Sequence, residues 1–153
     1  MLRSCNRRTL LAGATLALTG FAAGPLLASA TAETVTLYKD PNCGCCQNYV
    51  DYLRKNGFEV KVVPTNNLGE ITAKAGIPTD FAGCHTFKIG HYAFGGHIPI
   101  AILTRFLNER PQLIGLTVPG MPAGSPGMGG KKTEPLKVYA VAKGQAPTIY
   151  AVD

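Results

Sequence analysis

The sequence predicts one α/β domain: a central mixed sheet with flanking helices and a long loop of Gly, Pro and Met. Three observations predict it. The chain is 153 residues long, which is the size of one domain. β-rich runs alternate with segments of helical periodicity. One stretch, Pro119 to Gly130, is too rich in Gly and Pro to form helix or strand. A composition of 46% hydrophobic and 16% charged residues belongs to a globular chain and excludes disordered and coiled-coil classes.

The elements follow in order. Val35 to Lys39 is a β-rich run, and Asp40-Pro41-Asn42 supplies turn and helix-cap residues. From Cys45 onward, Cys46, Tyr49, Val50 and Leu53 recur at helical spacing until Asn56-Gly57 stops the helix. Phe58 to Val63 is the next strand, and Asn66-Asn67 caps a short helix to Ala75, ended by Gly76 and Pro78. Pro78 also invites comparison with a cis-proline facing a cysteine turn. Cys84 to Ile89 and Tyr92 to Phe94 form a hairpin turning near Gly90. Pro99 opens a helix over Ile100 to Asn108 with the stripe Ile102, Leu103, Phe106 and Leu107. Leu113 to Val118, Leu136 to Val141 and Thr148 to Val152 are the remaining strands.

The first thirty residues read as an export signal. A basic stretch from Met1 to Arg8 precedes an uncharged run to Ala28, and Ala28-Ser29-Ala30 and Ala30-Thr31-Ala32 are small-x-small cleavage sites near residues 30 and 32. Gly20, Gly24 and Pro25 interrupt the run, which argues against a membrane span. Asn6-Arg7-Arg8-Thr9-Leu10-Leu11 resembles a twin-arginine signal, and a plain secretory leader whose arginines only supply charge fits as well. Residues 33–153 are then the single working domain, placed in a bacterial periplasm. Without Arg3, Arg7 and Arg8 the 15 basic residues fall to 12 against 9 acidic, a net +3. With no basic cluster larger than Lys131-Lys132, nucleic acid is a poor partner.

Cys5 leaves with the signal, so four cysteines carry the chemistry: Cys43, Cys45, Cys46 and Cys84. Two structural disulfides would be the usual reading of an even count in a small exported protein. The spacing argues otherwise, because Cys43, Cys45 and Cys46 lie too close together for any bridge among them to staple a fold. A strand followed by a cysteine turn that opens a helix is the thioredoxin arrangement, in which the positive helix N-terminus stabilises a thiolate. Cys43 and Cys45 sit where that potential acts and are the candidate redox-active thiols. Cys46 belongs to the apolar stripe. Cys84, in Gly83-Cys84-His85, is a fourth thiol for the same site.

Four thiolates favour soft metal ions, and the thioethers of Met121 and Met128 suit Cu(I) better than Zn(II). Vicinal cysteines do not readily share one tetrahedral zinc, whereas packed thiolates bridge several Cu(I) ions. Met121 and Met128 have two readings, as ligands or cover of a metal site and as packing residues. His85 and His97 are further candidate ligands, with turn hydrogen bonding and helix-end capping as their simpler roles. His91 reads as a solvated turn residue.

Four motifs in order resemble a known family: Asp40-Pro41-Asn42-Cys43-Gly44-Cys45-Cys46, Gly83-Cys84-His85-Thr86, Gly95-Gly96-His97-Ile98-Pro99, and Pro119-Gly120-Met121-Pro122-Ala123-Gly124-Ser125-Pro126-Gly127-Met128. From about Val35 to Met128 the chain resembles the small periplasmic copper-resistance proteins called CopG. The resemblance implies a thioredoxin-like fold, Cu(I) held by clustered cysteines, and a redox role in copper resistance or homeostasis alongside other periplasmic copper-handling proteins. Residues 131–153 lie outside it. The leading expectation is a copper/thiol redox protein holding Cu(I) singly or as a multinuclear thiolate cluster. Two alternatives stand beside it: a thiol-disulfide oxidoreductase acting on exported proteins, and a structural zinc-binding domain.

Overall fold

The computed structural model describes residues 34–153, so the export signal expected over residues 1–30 lies outside the described residues. Among the described residues seven strands and three α-helices follow one another as β1 (Val35–Lys39), α1 (Gly44–Lys55), β2 (Val60–Pro64), α2 (Leu68–Lys74), β3 (His85–Ile89), β4 (Tyr92–Gly95), α3 (Ile100–Glu109), β5 (Gly115–Thr117), β6 (Lys137–Val141) and β7 (Thr148–Val152). They build one mixed sheet in the order β2-β1-β3-β4-β5-β6-β7. β1/β2 and β4/β5 pair in parallel, and the other neighbours are antiparallel. This is the mixed α/β architecture the sequence led us to expect. The tail after Lys131, which no motif covered, extends the sheet as β6 and β7, and Leu136 and Asp153 exchange both backbone bonds to close it.

Local chemistry explains the boundaries. The stripe Cys46, Tyr49, Val50 and Leu53 is fully buried, as expected for positions repeating every three to four residues on one helix face. α1 ends with Gly57 N–H bonding Arg54 O and Phe58 N–H bonding Leu53 O, the paired bonds of a Schellman motif. Phe58 is thereby committed to the helix cap, so β2 begins two residues later than its apolar run suggests. Pro99 falls just outside α3 as its N-cap. The next residue, Ile100, gives its N–H to the Tyr52 hydroxyl at 2.8 Å, so α1 caps the start of α3. No peptide bond among the described residues is cis, and Pro78 sits ahead of a 3-10 turn at Thr79–Phe81.

The core gathers Phe87, Phe94, Phe106 and Tyr92, with ring centroids 5.0 Å apart for Phe87 and Phe94 and 4.8 Å for Tyr92 and Phe106. α2 leans on β3 through a 2.7 Å hydroxyl pair between Thr72 and Thr86. Among the described residues no helix is long and apolar enough to cross a membrane. Phe94→Ala, at the fully buried centre of β4, is expected to destabilise the protein by about 3–5 kcal/mol. Ile149→Ala, where the side chain is 55% exposed, should stay within about 0.5 kcal/mol. Denaturant melts of the two variants check the contrast.

Candidate metal centre

Strand alternation delivers the site. In β1 the side chains of Val35, Leu37 and Lys39 point inward, so the chain leaves the sheet with Lys39 buried and only 5% exposed. Its ammonium donates to the carbonyls of Asp40 at 2.9 Å and Pro41 at 3.2 Å, clamping the turn that follows. Within that turn the Asp40 carboxylate accepts the Asn42 N–H at 2.7 Å, and the Asp40 carbonyl accepts the Cys43 N–H at 3.1 Å. Cys43 is the N-cap of α1 without making a side-chain cap bond, and no acidic residue in the first turn offsets the positive end of the helix dipole. Period-2 alternation along β1 puts Lys39 on the same buried face as Val35 and Leu37.

The four cysteine sulfurs lie within 4.8 Å of one another. Cys43 and Cys46 are joined as a disulfide with Cα atoms 5.4 Å apart, and Cys45 and Cys84 are free thiols. Cys45 Sγ stands 3.5 Å from Cys43 Sγ and 3.7 Å from Cys84 Sγ. Cys46, fully buried, has its sulfur 3.2 Å from the Cys84 carbonyl, an acceptor for its S–H on reduction. Cys84 comes from the turn entering β3. Gly83 permits this position, because a Cβ there would stand 2.6 Å from the Cα and N of Gly96. That close approach lays the cysteine turn against the end of β4, where His97 follows.

Cys84, His85 and His97 form a second group that shares the Cys84 sulfur, again with all ligand atoms within 4.8 Å. His97 Nδ1 is 2.6 Å from the Pro126 carbonyl, which can only accept, so the ring proton lies on Nδ1. The Nε2 lone pair of the neutral ring therefore faces Cys84 Sγ at 3.1 Å. His85 Nδ1 is 3.4 Å from the same sulfur, while its Nε2 is buried without a hydrogen-bond partner among the described residues. Burial, then the nearby His97, lower the His85 pKa to about 3, and burial lowers that of His97 as well. Both imidazoles are thus held in the neutral form that binds metals. Burial, followed by the neighbouring Cys45, pushes the Cys84 thiol up to about 12. A metal ion replacing that proton would remove the penalty.

The loop over residues 119–130 meets the site through its backbone. Pro126 supplies the carbonyl to His97, and Asn48 of α1 donates to the Gly127 carbonyl at 3.2 Å. Gly127 has φ +79°, and a Cβ there would come within 2.8 Å of Tyr49 N, so the loop lies flush on α1. Met128 lines a shallow depression with Asn48, Asp51 and Lys55, and Met121 is 45% exposed. His91 is exposed in the hairpin turn.

The neutral state of His85 carries a pH signature. Its pKa drops from an ordinary 6.5 to about 3 on folding, so the unfolded chain takes up the proton first as pH falls. This contribution is complete above the unfolded value and is lost progressively toward the folded one, at up to about 1.4 kcal/mol per pH unit. Denaturant melts of metal-free protein between about pH 7 and about pH 4 should show a shallower slope for His85→Phe than for wild type. Equal slopes would sink the assignment.

Comparison with known proteins agrees with this geometry. Residues 81–128 match a family model described as a protein of unknown function, DUF411. No curated protein matches the chain. Two solved structures do, titled Copper resistance protein copG Form 2 and Form 1. Each is 32% identical with a TM-score of 0.72, and the alignment covers 78% of this chain and 97% and 96% of theirs. With nearly the whole of those chains matched, and the cysteine cluster assembled in the fold, this chain belongs to the CopG copper-resistance family.

Proposed function

We propose that this protein is an exported copper-binding redox protein that holds Cu(I) through Cys43, Cys45, Cys46 and Cys84. The observation that carries the reading is the convergence of four sulfurs within 4.8 Å. Thiolates select soft monovalent copper over harder ions, and sulfurs this close can bridge several ions as a cluster. The neutral His85 and His97, each with a ring nitrogen beside the Cys84 sulfur, add imidazole nitrogens to the donor set. The donor set fits copper as cargo of the site. The titles of the two solved relatives, which name copper resistance, support the same metal.

The redox part rests on the Cys43–Cys46 pair. Two thiols passing to one disulfide release two protons and two electrons, enough to reduce two Cu(II) ions to Cu(I). The same equation read backwards oxidises Cu(I). A disulfide among these residues suits an oxidising compartment, which agrees with residues 1–30 as an export signal and a periplasmic location. A second reading, thiol-disulfide exchange with exported proteins, is favoured by one feature. Cys43 is half-buried and Cys46 fully buried, so the pair offers one accessible sulfur and one protected partner at a helix N-terminus, as in thioredoxin-like exchange.

Anaerobic titration of the reduced protein with Cu(I) against a competing chelator tests the leading reading. More than one copper per chain is expected, the disulfide form should lose most of that capacity, and Cys84→Ser should weaken binding by about tenfold or more. One tightly held zinc, or exchange activity with no metal bound, would overturn it. Met121→Leu combined with Met128→Leu keeps the apolar volume and removes both thioethers. Weaker Cu(I) binding or a changed oxidation rate is expected if they ligate or shield the metal, and unchanged values assign them to packing.

A further inference from the structure

We infer that Cys45 and Cys84 form a second dithiol/disulfide couple, so that the site exchanges two electron pairs in succession rather than one. The inference rests on the redox part of the proposed function only for its physiological oxidant. The geometry of the pair stands independently of copper.

Cys45 and Cys84 are the thiols left over once Cys43 and Cys46 are joined, and both are partly exposed. Their sulfurs are 3.7 Å apart with the first disulfide in place. Reaching bonding distance requires them to close by about 1.7 Å, since a disulfide bond is about 2.05 Å long. Cys45 sits in the first turn of α1, and Cys84 sits in the turn before β3, where the His97 Nε2 lone pair 3.1 Å away accepts its S–H.

The two couples differ in what they constrain. The Cys43–Cys46 bridge spans a sequence separation of 3 and ties α1 only to its own cap. A Cys45–Cys84 bridge spans 39 residues and fastens the start of α1 to the start of β3. It therefore restricts the unfolded chain more than the first bridge does and raises thermal stability further. It also takes the last two thiols out of the donor set, so the fully oxidised chain cannot hold a thiolate-bound metal. In the step itself Cys45 and Cys84 each lose a thiol proton and one electron, and one sulfur–sulfur bond forms. Two cupric ions accept the electrons, one each, and water takes the protons.

The test uses metal-free full-length chain carrying Cys5→Ser, which leaves four cysteines, oxidised stepwise with diamide. Diamide takes up both hydrogens of each thiol pair to become a hydrazine. Free thiols per chain, counted after denaturation, should fall from four to two and then to none. The product should be monomeric, and peptide mapping should link Cys45 to Cys84. Cys84→Ala in this background should stop at one thiol, and the fully oxidised Cys5→Ser chain should melt above its singly oxidised form. Two thiols persisting in excess diamide, a second bridge between chains, or a bridge from Cys45 to Cys43 would each overturn the inference. The mapping does not use Cys84→Ala, so it decides even if that variant fails to fold. Because no copper is present, this result is separate from the copper titration: either can fail while the other stands.

Discussion

The site depends on the buried ring of Tyr49. This side chain lies one turn beyond the cysteines of α1 and is fully enclosed, and its hydroxyl donates to the Ile98 carbonyl at 2.9 Å. Its ring packs against His85 at 4.8 Å, His97 at 5.2 Å and Phe87 at 5.7 Å. One residue therefore fixes α1, the start of β3 and the chain after β4 relative to one another. Those are the three places from which the sulfurs and imidazoles come. A buried hydroxyl needs a partner, and the partner chosen is the residue beside His97, so satisfying the tyrosine also positions the imidazole.

The charges at the first cysteine turn favour anionic sulfur, whereas burial disfavours the thiolate at Cys84. Both histidines are held neutral by burial and so contribute lone pairs rather than charge. Positive potential comes instead from the α1 N-terminus, which no acidic first-turn residue offsets, and from Lys39, whose ammonium holds the two carbonyls leading into Cys43. Burying an ammonium against neutral carbonyls is unfavourable unless something anionic forms nearby. The turn supplies the Asp40 carboxylate as one such anion, and a thiolate at the start of α1 would add another. The Nε2 of His85 is buried with no hydrogen-bond partner among the described residues, which is a further cost at this ring.

Much of this was legible from the sequence because its signals are local. β1 and β7 fell where β-rich runs stand between turn residues, and the buried face of α1 followed from spacing alone. The meeting of Cys84 with the first cysteines also followed, from the chemistry of a fourth thiol rather than from any pattern between them. What escaped has no local signature. The proton on His97 is placed by a backbone carbonyl 29 residues away, and every residue type carries that group. The parallel pairing of β4 with β5 depends on how α3 crosses between them, and the sheet order beyond β4 is likewise set by long-range packing. Lys39 was readable in principle, since alternation along β1 places it inward. A lysine is seldom buried, so the alternation signal at this position is easily overlooked.

The loop's composition can be separated into two requirements. Its Gly and Pro are accounted for by backbone contact: Pro126 must bring a carbonyl to His97, and Gly127 must lie against the backbone of α1 where a Cβ would collide with Tyr49. Neither contact uses a methionine. The thioethers of Met121 and Met128 therefore cannot be the reason the loop is flexible in composition and tightly seated in space. Any role they have toward a metal is added to a loop that already serves the site by fixing an imidazole. Coupling runs both ways through that bond, because a metal that engages His97 Nε2 holds the ring whose Nδ1 proton secures the loop.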